Sequence, residues 1–373
     1  MKSVTALAAL CFAVGAALFP ATSDAQQPRK LRFQTSYPAG TPTYENLQFW
    51  AERVNAMSGG RLQIEAMPAG ALVPAFEVVD AIHKKVLDGG QSAAAYSVGK
   101  NSAATLFGPA PGGPFGMDSL DYIGWIYNGG GLELYQSFYK DQIKRNVISF
   151  PMTYAGNQPL GWFKTEVTGW DDLKGRKCRE TGMTAEVFAP SGMTTVNIPG
   201  GEIVPSGERG VIDCAEFASP YEDKQMGFQT VWKNYYLPSM HEPATVLELI
   251  INQDVWNSLT PDLQEIIKSA SWQATFQSMA LANKRNAEAL AELQIKDGVK
   301  VFRTPDDIML NVLKAWDNVA KEQSDKNPFF KKVYESQRAY AEKVVPARMR
   351  INAPYGFAVQ HYWPDANTGS TSN

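Results

Sequence analysis

The chain has 373 residues, 44% of them apolar and 20% charged, with a net charge of −3. That length allows two lobes, each with its own core, and the balance of apolar and charged residues is that of an ordinary globular protein. A slightly acidic chain with no basic run argues against nucleic acid or an anionic membrane surface as a partner, and heptads and short repeats are absent.

Residues 1–25 read as a signal peptide. Lys2 supplies the positive start, Val4 to Phe19 an apolar stretch short for a spanning helix, and Ser23 and Ala25 small residues for cleavage. Cys11 lies inside the apolar stretch, which makes a lipid anchor a poor reading. No other long apolar run follows, so the mature protein is expected to be soluble. Leu31 to Ser36 alternates as a first strand. After a turn at Pro38-Ala39-Gly40, Thr41-Pro42 opens a helix with Leu47, Trp50, Ala51 and Val54 on one face, ended by Gly59-Gly60. Leu62 to Met67 is a second strand, Ala75 to Asp88 a helix stopped by Gly89-Gly90, and Gln91 to Tyr96 the end of a third strand. Residues 107–131, rich in Gly, Pro and aromatics, read as an irregular crossing. Gly129-Gly130-Gly131 lacks the GxGxxG spacing of a nucleotide loop. Asn146 to Phe150 is a strand, and Tyr154 to Phe163 begins a second lobe near a hinge.

The segment from Trp170 to Glu216 carries the most information. A strand ends at Arg179, a short helix spans Ala185 to Ala189, and a strand runs from Thr194 to Ile198. Pro199-Gly200-Gly201 breaks the pattern, and a last strand runs from Gly210 to Glu216. Strand and helix in alternation predict a parallel α/β sheet. Ligands of open parallel sheets sit beyond the carboxyl ends of the strands. Arg179 and Glu216 stand at two such ends, which points to a site for a small anion with a cation beside it. Beyond this segment, Thr260-Pro261 opens a very long helix to about Gln294, with Leu263, Ile266, Ile267 and Ala270 as its apolar stripe. Val299 to Phe302 is a strand and Thr304-Pro305 starts another helix. Pro328 interrupts the pattern before Phe329 to Val345, and the polar tail 365–373 is expected to be disordered.

The run DLKGRKCR, then TTVNIPGGEI, then ERGVIDCAE resembles the DctP-type solute-binding proteins of tripartite ATP-independent periplasmic (TRAP) transporters, as do Gly59-Gly60-Arg61-Leu62, Phe107 to Met117 and Gly161-Trp162-Phe163. The likeness covers most of the mature chain and is greatest to the branch that binds 2-oxo or 2-hydroxy monocarboxylates with a metal ion. It implies a two-lobed α/β periplasmic binding-protein fold crossed by a long helix. Residues 26–152 with 240–285 would form the first lobe, and 153–239 with 286–364 the second lobe and the C-terminal helices. It also implies a periplasmic location, TRAP membrane permease subunits as partners, and binding in place of catalysis.

Arg179 matches the Arg that pins the substrate carboxylate. Its planar, permanently charged fork suits that task, although a lone Arg at a strand end more often makes a surface or interlobe salt bridge. Glu216, the carbonyl of Phe217 and Gln158 match the ligands of the ion, and such oxygen donors suit Na⁺ or Ca²⁺ better than Zn²⁺. The alternative for Glu216 is a structural helix cap. Glu242, in His241-Glu242-Pro243, either completes the ion's shell, closes on the substrate, or is a turn residue before Pro. His241 is counted with the substrate contacts. Tyr96 either donates its hydroxyl to the substrate or is a half-buried core residue. Asn157, Tyr154, Trp162 and Phe217 are expected in the pocket wall.

Cys178 and Cys214 stand where the family has an aliphatic residue and a Gly. Because their strands are expected to be neighbours in an oxidising compartment, they either form a disulfide or remain two buried thiols. Enzyme motifs are scarce: His83, His241 and His361 have no zinc-ligand spacing, and GxSxG is absent. A periplasmic hydrolase or lyase acting on a similar acid is the rival reading. The C-terminal helices, with Trp316, Phe329, Phe330 and Tyr334, pack either on their own lobe or on a second subunit as a homodimer.

Overall fold

The computed structural model describes residues 27–108 and 110–364, so the expected signal peptide and the tail 365–373 lie outside the described residues. The chain builds two sheets. Strands β1 (Arg29–Thr35), β2 (Leu62–Met67), β3 (Gly89–Ser92) and β4 (Val147–Gly156) open the chain. The segment after the first crossing adds β5 (Gly161–Phe163), β6 (Lys177–Arg179), β7 (Thr194–Val196), β8 (Cys214–Ala215) and β9 (Asn234–Leu237). After the return come β10 (Thr245–Asn252) and β11 (Lys300–Arg303). The first sheet has the order β2-β1-β3-β10-β4 and the second β11-β9-β5-β8-β6-β7. The expected alternation is present: β6 runs parallel to both β7 and β8.

The first lobe forms around β10, which is largely apolar and buried at all eight of its residues, as a central strand covered on both sides requires. One cover is the helix Pro42–Met57, capped by Thr41 as expected. Its Trp50 meets Phe33 at 4.9 Å. The other cover corrects the sequence reading. Residues 107–131 are not an irregular crossing: they include the helix Ser119–Asn128, capped by Asp118, and the start of Gly131–Ser137. Phe107 stacks on Tyr135 at 4.6 Å there. The glycines punctuate these short helices, which hid the periodicity.

Gly89-Gly90 is corrected too. The helix before it is only Val78–His83, and both glycines lie inside β3. A Cβ on Gly89 would sit 2.2 Å from the Phe33 ring, and one on Gly90 2.3 Å from the Gln34 carbonyl. These residues are small for sheet packing and do not stop a helix. Tyr96 therefore sits on a 3₁₀ turn, Ala94–Ser97, past the strand end.

Three segments join the lobes: 157–160, 238–244, and the helix Pro261–Ile295. That helix packs on the first lobe, where Asn46 Nδ2 donates to the Ala274 carbonyl at 2.9 Å. It then sends Leu293 into the core of the second lobe beside Trp232 and Tyr235. The helix Asp306–Lys326 stays with the second lobe, where the Trp170 amide donates to Asp307 at 2.7 Å. Pro328 is the first residue of the next helix, Pro328–Ile351, and Asn327 caps it.

The helix Pro328–Ile351 returns to the first lobe, which differs from the expected grouping of 286–364 with the second. Gln337 Nε2 donates to the Leu106 carbonyl at 2.7 Å and Trp125 Nε1 to Ser336 at 3.1 Å. Its apolar face is matched to the aromatic helices 102–137, a partner that sequence order does not reveal. Trp316, Phe329, Phe330 and Tyr334 pack within their own chain.

The lobes are closed on each other. Thr43 in the first lobe donates to Glu222 in the second at 2.9 Å. Tyr37 meets Phe217 at 6.1 Å, and a Cβ on Gly182 would lie 3.3 Å from that of Ala95. Within the second sheet, Cys178 and Cys214 are register partners on β6 and β8 and are joined by a disulfide, with Cα atoms 4.5 Å apart.

Two outcomes follow from this packing. Denatured, unreduced protein should show no titratable thiol, and replacing both cysteines by Ala should lower stability by about 3 kcal/mol; two free thiols would refute the bridge. The second concerns Glu222. Burial pushes it up to about 8, against the Thr43 hydrogen bond. A raised pKa means the closed form holds a proton that the unfolded chain releases. The stability it contributes is full below the usual glutamate range and is lost as pH rises toward 8. Melting curves of wild type and Glu222→Gln should therefore diverge in the variant's favour between pH 5 and 8.5, and a pH-independent difference would exclude this titration.

Candidate functional site

Four segments converge where the lobes meet. Parallel β6 and β8 end side by side and deliver Arg179, Glu180, Glu216 and Phe217 from the second lobe. The first crossing brings Gln158 and the return crossing brings His241 and Glu242. The sequence folds this way because residues just past the ends of neighbouring parallel strands must emerge on the same sheet edge.

Arg179 is 1% exposed. Its Nη1 donates to the Glu216 carbonyl at 3.0 Å and to Glu216 Oε1, and its Nε donates to the Ile198 carbonyl at 3.3 Å. The Phe217 ring centre lies 5.6 Å from the guanidinium carbon. Gln158 Nε2 donates to Glu242 Oε2 at 2.5 Å, and the Gln158 backbone N–H donates to the Glu242 carbonyl at 3.0 Å. These two bonds tie the two crossings together. His241 places Nδ1 2.6 Å from Ser239 Oγ. Burial, with the Arg179 charge second, pushes the imidazole down to about 3, so it is neutral at working pH.

Electrostatics set this site apart. One guanidinium faces three buried carboxyls, those of Glu180, Glu216 and Glu242. Burial pushes Glu216 up to about 7 despite Arg179. Burial and the neighbouring carboxylates, Glu216 first, push Glu180 and Glu242 well above their usual range. Burial opposes the charge of Arg179, but the carboxylates outweigh it and hold its pKa up. Four buried polar atoms in this cluster have no partner among the described residues: Gln158 Oε1, Glu180 Oε2, Glu216 Oε2 and His241 Nε2. Donor atoms of Glu216, His241 and Glu242 lie within 4.8 Å of one another. Excess negative charge, unsatisfied oxygens and close donors together fit a hard cation bound by carboxylate and amide oxygens.

The structure thus brings together Arg179, Gln158, Glu216, Phe217, His241 and Glu242. Tyr96 approaches from the first lobe, half-buried against Phe76 at 4.7 Å. Burial raises its pKa and the charge of Arg179 opposes that rise. Asn157 is not brought in: it is exposed and donates to the Ser239 carbonyl at 3.2 Å. Trp162 is not in the wall either, because it is buried in the second-lobe core, stacked on Tyr235 at 4.0 Å with Nε1 on Asp223. Tyr154 lines a separate cleft beside the long helix. Sequence reasoning missed Glu180, whose one signal was its position next to Arg179. It also missed Tyr37, which reaches the site through the fold alone.

The DctP model, described as bacterial extracellular solute-binding protein family 7, matches residues 33–327. A monocarboxylate 2-oxoacid-binding periplasmic protein from Nostoc sp. is 34% identical over 321 residues, 86% of each chain. A TRAP transporter solute-binding protein from Bordetella bronchiseptica superposes with a TM-score of 0.83 at 30% identity, over 90% of this chain and 97% of that one. That structure is a mixed-occupancy dimer with copurified calcium and picolinate in one active site and the other apo. A TRAP solute-binding protein from Pseudoalteromonas atlantica, with sodium and pyruvate bound, has a TM-score of 0.80 at 30% identity, over 91% of this chain and 99% of that one.

Proposed function

The chain belongs to the DctP family of bacterial extracellular solute-binding proteins, and from that premise we propose that it is the periplasmic receptor of a TRAP transporter. In this reading it captures a small 2-oxo or 2-hydroxy monocarboxylate together with a bridging cation and presents it to the membrane permease subunits. The observation that carries the reading is the set of unsatisfied donors and buried carboxyls around Arg179.

Pyruvate and picolinate share one chemical feature, a carboxylate next to a second donor atom, so each can chelate a cation through two neighbouring atoms. When bound, the cation supplies positive charge that offsets the buried carboxylates and a point at which those two atoms of the acid meet. Glu216, Gln158 and Glu242 would hold it with their side chains, His241 lies within reach, and Phe217 would add its carbonyl. Arg179 binds the acid's carboxylate, sharing its guanidinium with Glu216. Tyr96 offers a hydroxyl from the first lobe, and closure of the lobes excludes water. Charge decides the ion. With Glu180 protonated and Glu216, Glu242 and the acid all ionised against Arg179, a divalent ion such as Ca²⁺ brings the site to neutrality. With Glu242 protonated, Na⁺ suffices.

A hydrolase or lyase is not supported, because the family and its relatives are binding proteins. A homodimer through the C-terminus is part of the proposal. Met349, Ile351, Tyr355, Phe357 and Trp363 are each at least 68% exposed, and the helix Tyr355–Tyr362 has no buried residue. A second copy would cover that apolar surface.

Arg179→Lys should lower affinity for pyruvate by about 2 kcal/mol or more, since a point charge cannot replace a planar fork in a desolvated site; wild-type affinity by calorimetry across a panel of oxo acids would sink the assignment. Ion and acid should each tighten the other by the same factor, and Glu216→Gln should weaken both. The measurement is titration of pyruvate into chelator-treated protein in sodium-free buffer, repeated with Na⁺ or Ca²⁺ restored, with native mass spectrometry counting ion, acid and subunits. Equal affinity in every buffer with no bound ion would make Glu216 a structural cap, and a monomer at working concentration would remove the dimer.

A further inference from the structure

Glu180 has no assigned role in the cation site, yet it cannot be dismissed as a surface residue. It is 4% exposed and follows Arg179 directly at the end of β6. Its amide donates to the Val196 carbonyl at 3.2 Å, which fixes the backbone. Its carboxyl oxygen Oε2 is buried without a partner among the described residues. Its charge acts on Glu216, Arg179 and Glu242, so it faces the same cluster. It is not among Glu216, His241 and Glu242, whose donor atoms lie within 4.8 Å of one another. Two residues on, Gly182 turns the chain at φ 58 and meets Ala95 of the first lobe, so closure seals Glu180 inside.

Two other buried acids, Glu248 and Asp223, show what full pairing of a carboxyl looks like in this protein. Glu248 accepts from Tyr139 and Ser149, each at 2.6 Å, and from Tyr135. Asp223 accepts from Trp162 at 2.8 Å, from the Ala218 amide at 3.1 Å and from Tyr235 at 3.2 Å. Each of these acids has protein donors on both oxygens or on several sides. Glu180 does not, and an unpaired buried carboxyl oxygen is costly unless something entering the site completes it. The cation would be held by the close donor set, to which Glu180 does not belong. The remaining candidate is the bound acid, through a part of it beyond the two chelating atoms. A hydroxyl there fits in either protonation state: it donates to a carboxylate and can accept from a carboxylic acid. A methyl group leaves Oε2 unpaired, and a second carboxylate adds an anion beside three acidic side chains.

We propose that Glu180 determines ligand specificity, selecting 2-oxo monocarboxylates that carry a hydroxyl on the carbon chain over their alkyl isosteres and over dicarboxylates. This rests on the reading of the site as a receptor for a 2-oxo acid with a cation. A site built to pair a ligand hydroxyl discriminates strongly against the analogue lacking it, because its own polar group is left unpaired.

The test uses hydroxypyruvate and 2-oxobutyrate, which differ by a hydroxyl in place of a methyl of similar size. Both are titrated into the full mature protein in the presence of the cation that supports pyruvate binding. Wild type should bind hydroxypyruvate at least about tenfold more tightly than 2-oxobutyrate. In Glu180→Ala that ratio should fall to within about threefold, and Glu180→Gln, which keeps an acceptor oxygen in place, should retain most of it. Melting curves establish that each variant is folded. If wild type binds pyruvate with its ion but treats the two probes alike, or if Glu180→Ala keeps the wild-type ratio, the specificity role is wrong and the receptor reading stands. If wild type binds no 2-oxo acid with any ion, the receptor reading itself fails and this inference falls with it.

Discussion

One guanidinium against three buried carboxyls is the constraint around which the cleft is arranged. Arg179 pairs with Glu216 and still leaves Glu180 and Glu242 facing the same low-dielectric space. A protein can resolve such an excess by protonating the acids, by opening to water, or by taking up a positive ion. The unpaired oxygens of Gln158 and Glu216 favour the last, because a proton on a carboxyl would not satisfy an amide oxygen. The site is thus poorly balanced when closed and empty of charge, and well balanced when an ion and an acid enter together. That is the property required of a receptor that should close on its cargo and not before.

The rest of the fold serves this arrangement. Arg179 and Glu216 stand on adjacent strands held in register, with a disulfide one position behind Arg179. Gln158 and Glu242 come from the two crossings and bind each other, so movement of one crossing is felt by the other. The long helix Pro261–Ile295 touches both lobes and limits how they separate. At the rim, the Thr43–Glu222 bond exists only while the lobes are together. Ligand chemistry and lobe geometry are therefore coupled through few residues, most of them on hinge segments or strand ends.

Much of this was legible in the chain. The alternation from Trp170 to Glu216, the cap at Thr41 and the start of the long helix at Pro261 are local signals, and local sterics and hydrogen bonding enforce them wherever the chain goes. Arg179, Gln158, Glu216 and Glu242 could be named because each sits at a recognisable boundary in the resembling motifs. The errors were non-local. Gly89-Gly90 read as a helix stop, but Phe33 and Gln34, more than fifty residues earlier in the chain, require glycine there. The helices after Phe107 were hidden because glycines break them into short pieces, and they are held by the distant helix Pro328–Ile351, as where Trp125 Nε1 donates to Ser336.

The sequence by itself determined the kind of site: a permanent cation and a carboxyl at the ends of two parallel strands, with the oxygen donors on the crossings implied only by the family resemblance. Those properties belong to residue types and to strand order, so they survive without coordinates. Tertiary structure alone decided the balance of charge. Burial deprives Glu180 of water beside Arg179, and the fold leaves the Asn157 side chain exposed. Desolvation and the pairing of polar groups depend on what every other segment places around a side chain, and that information is distributed over both lobes.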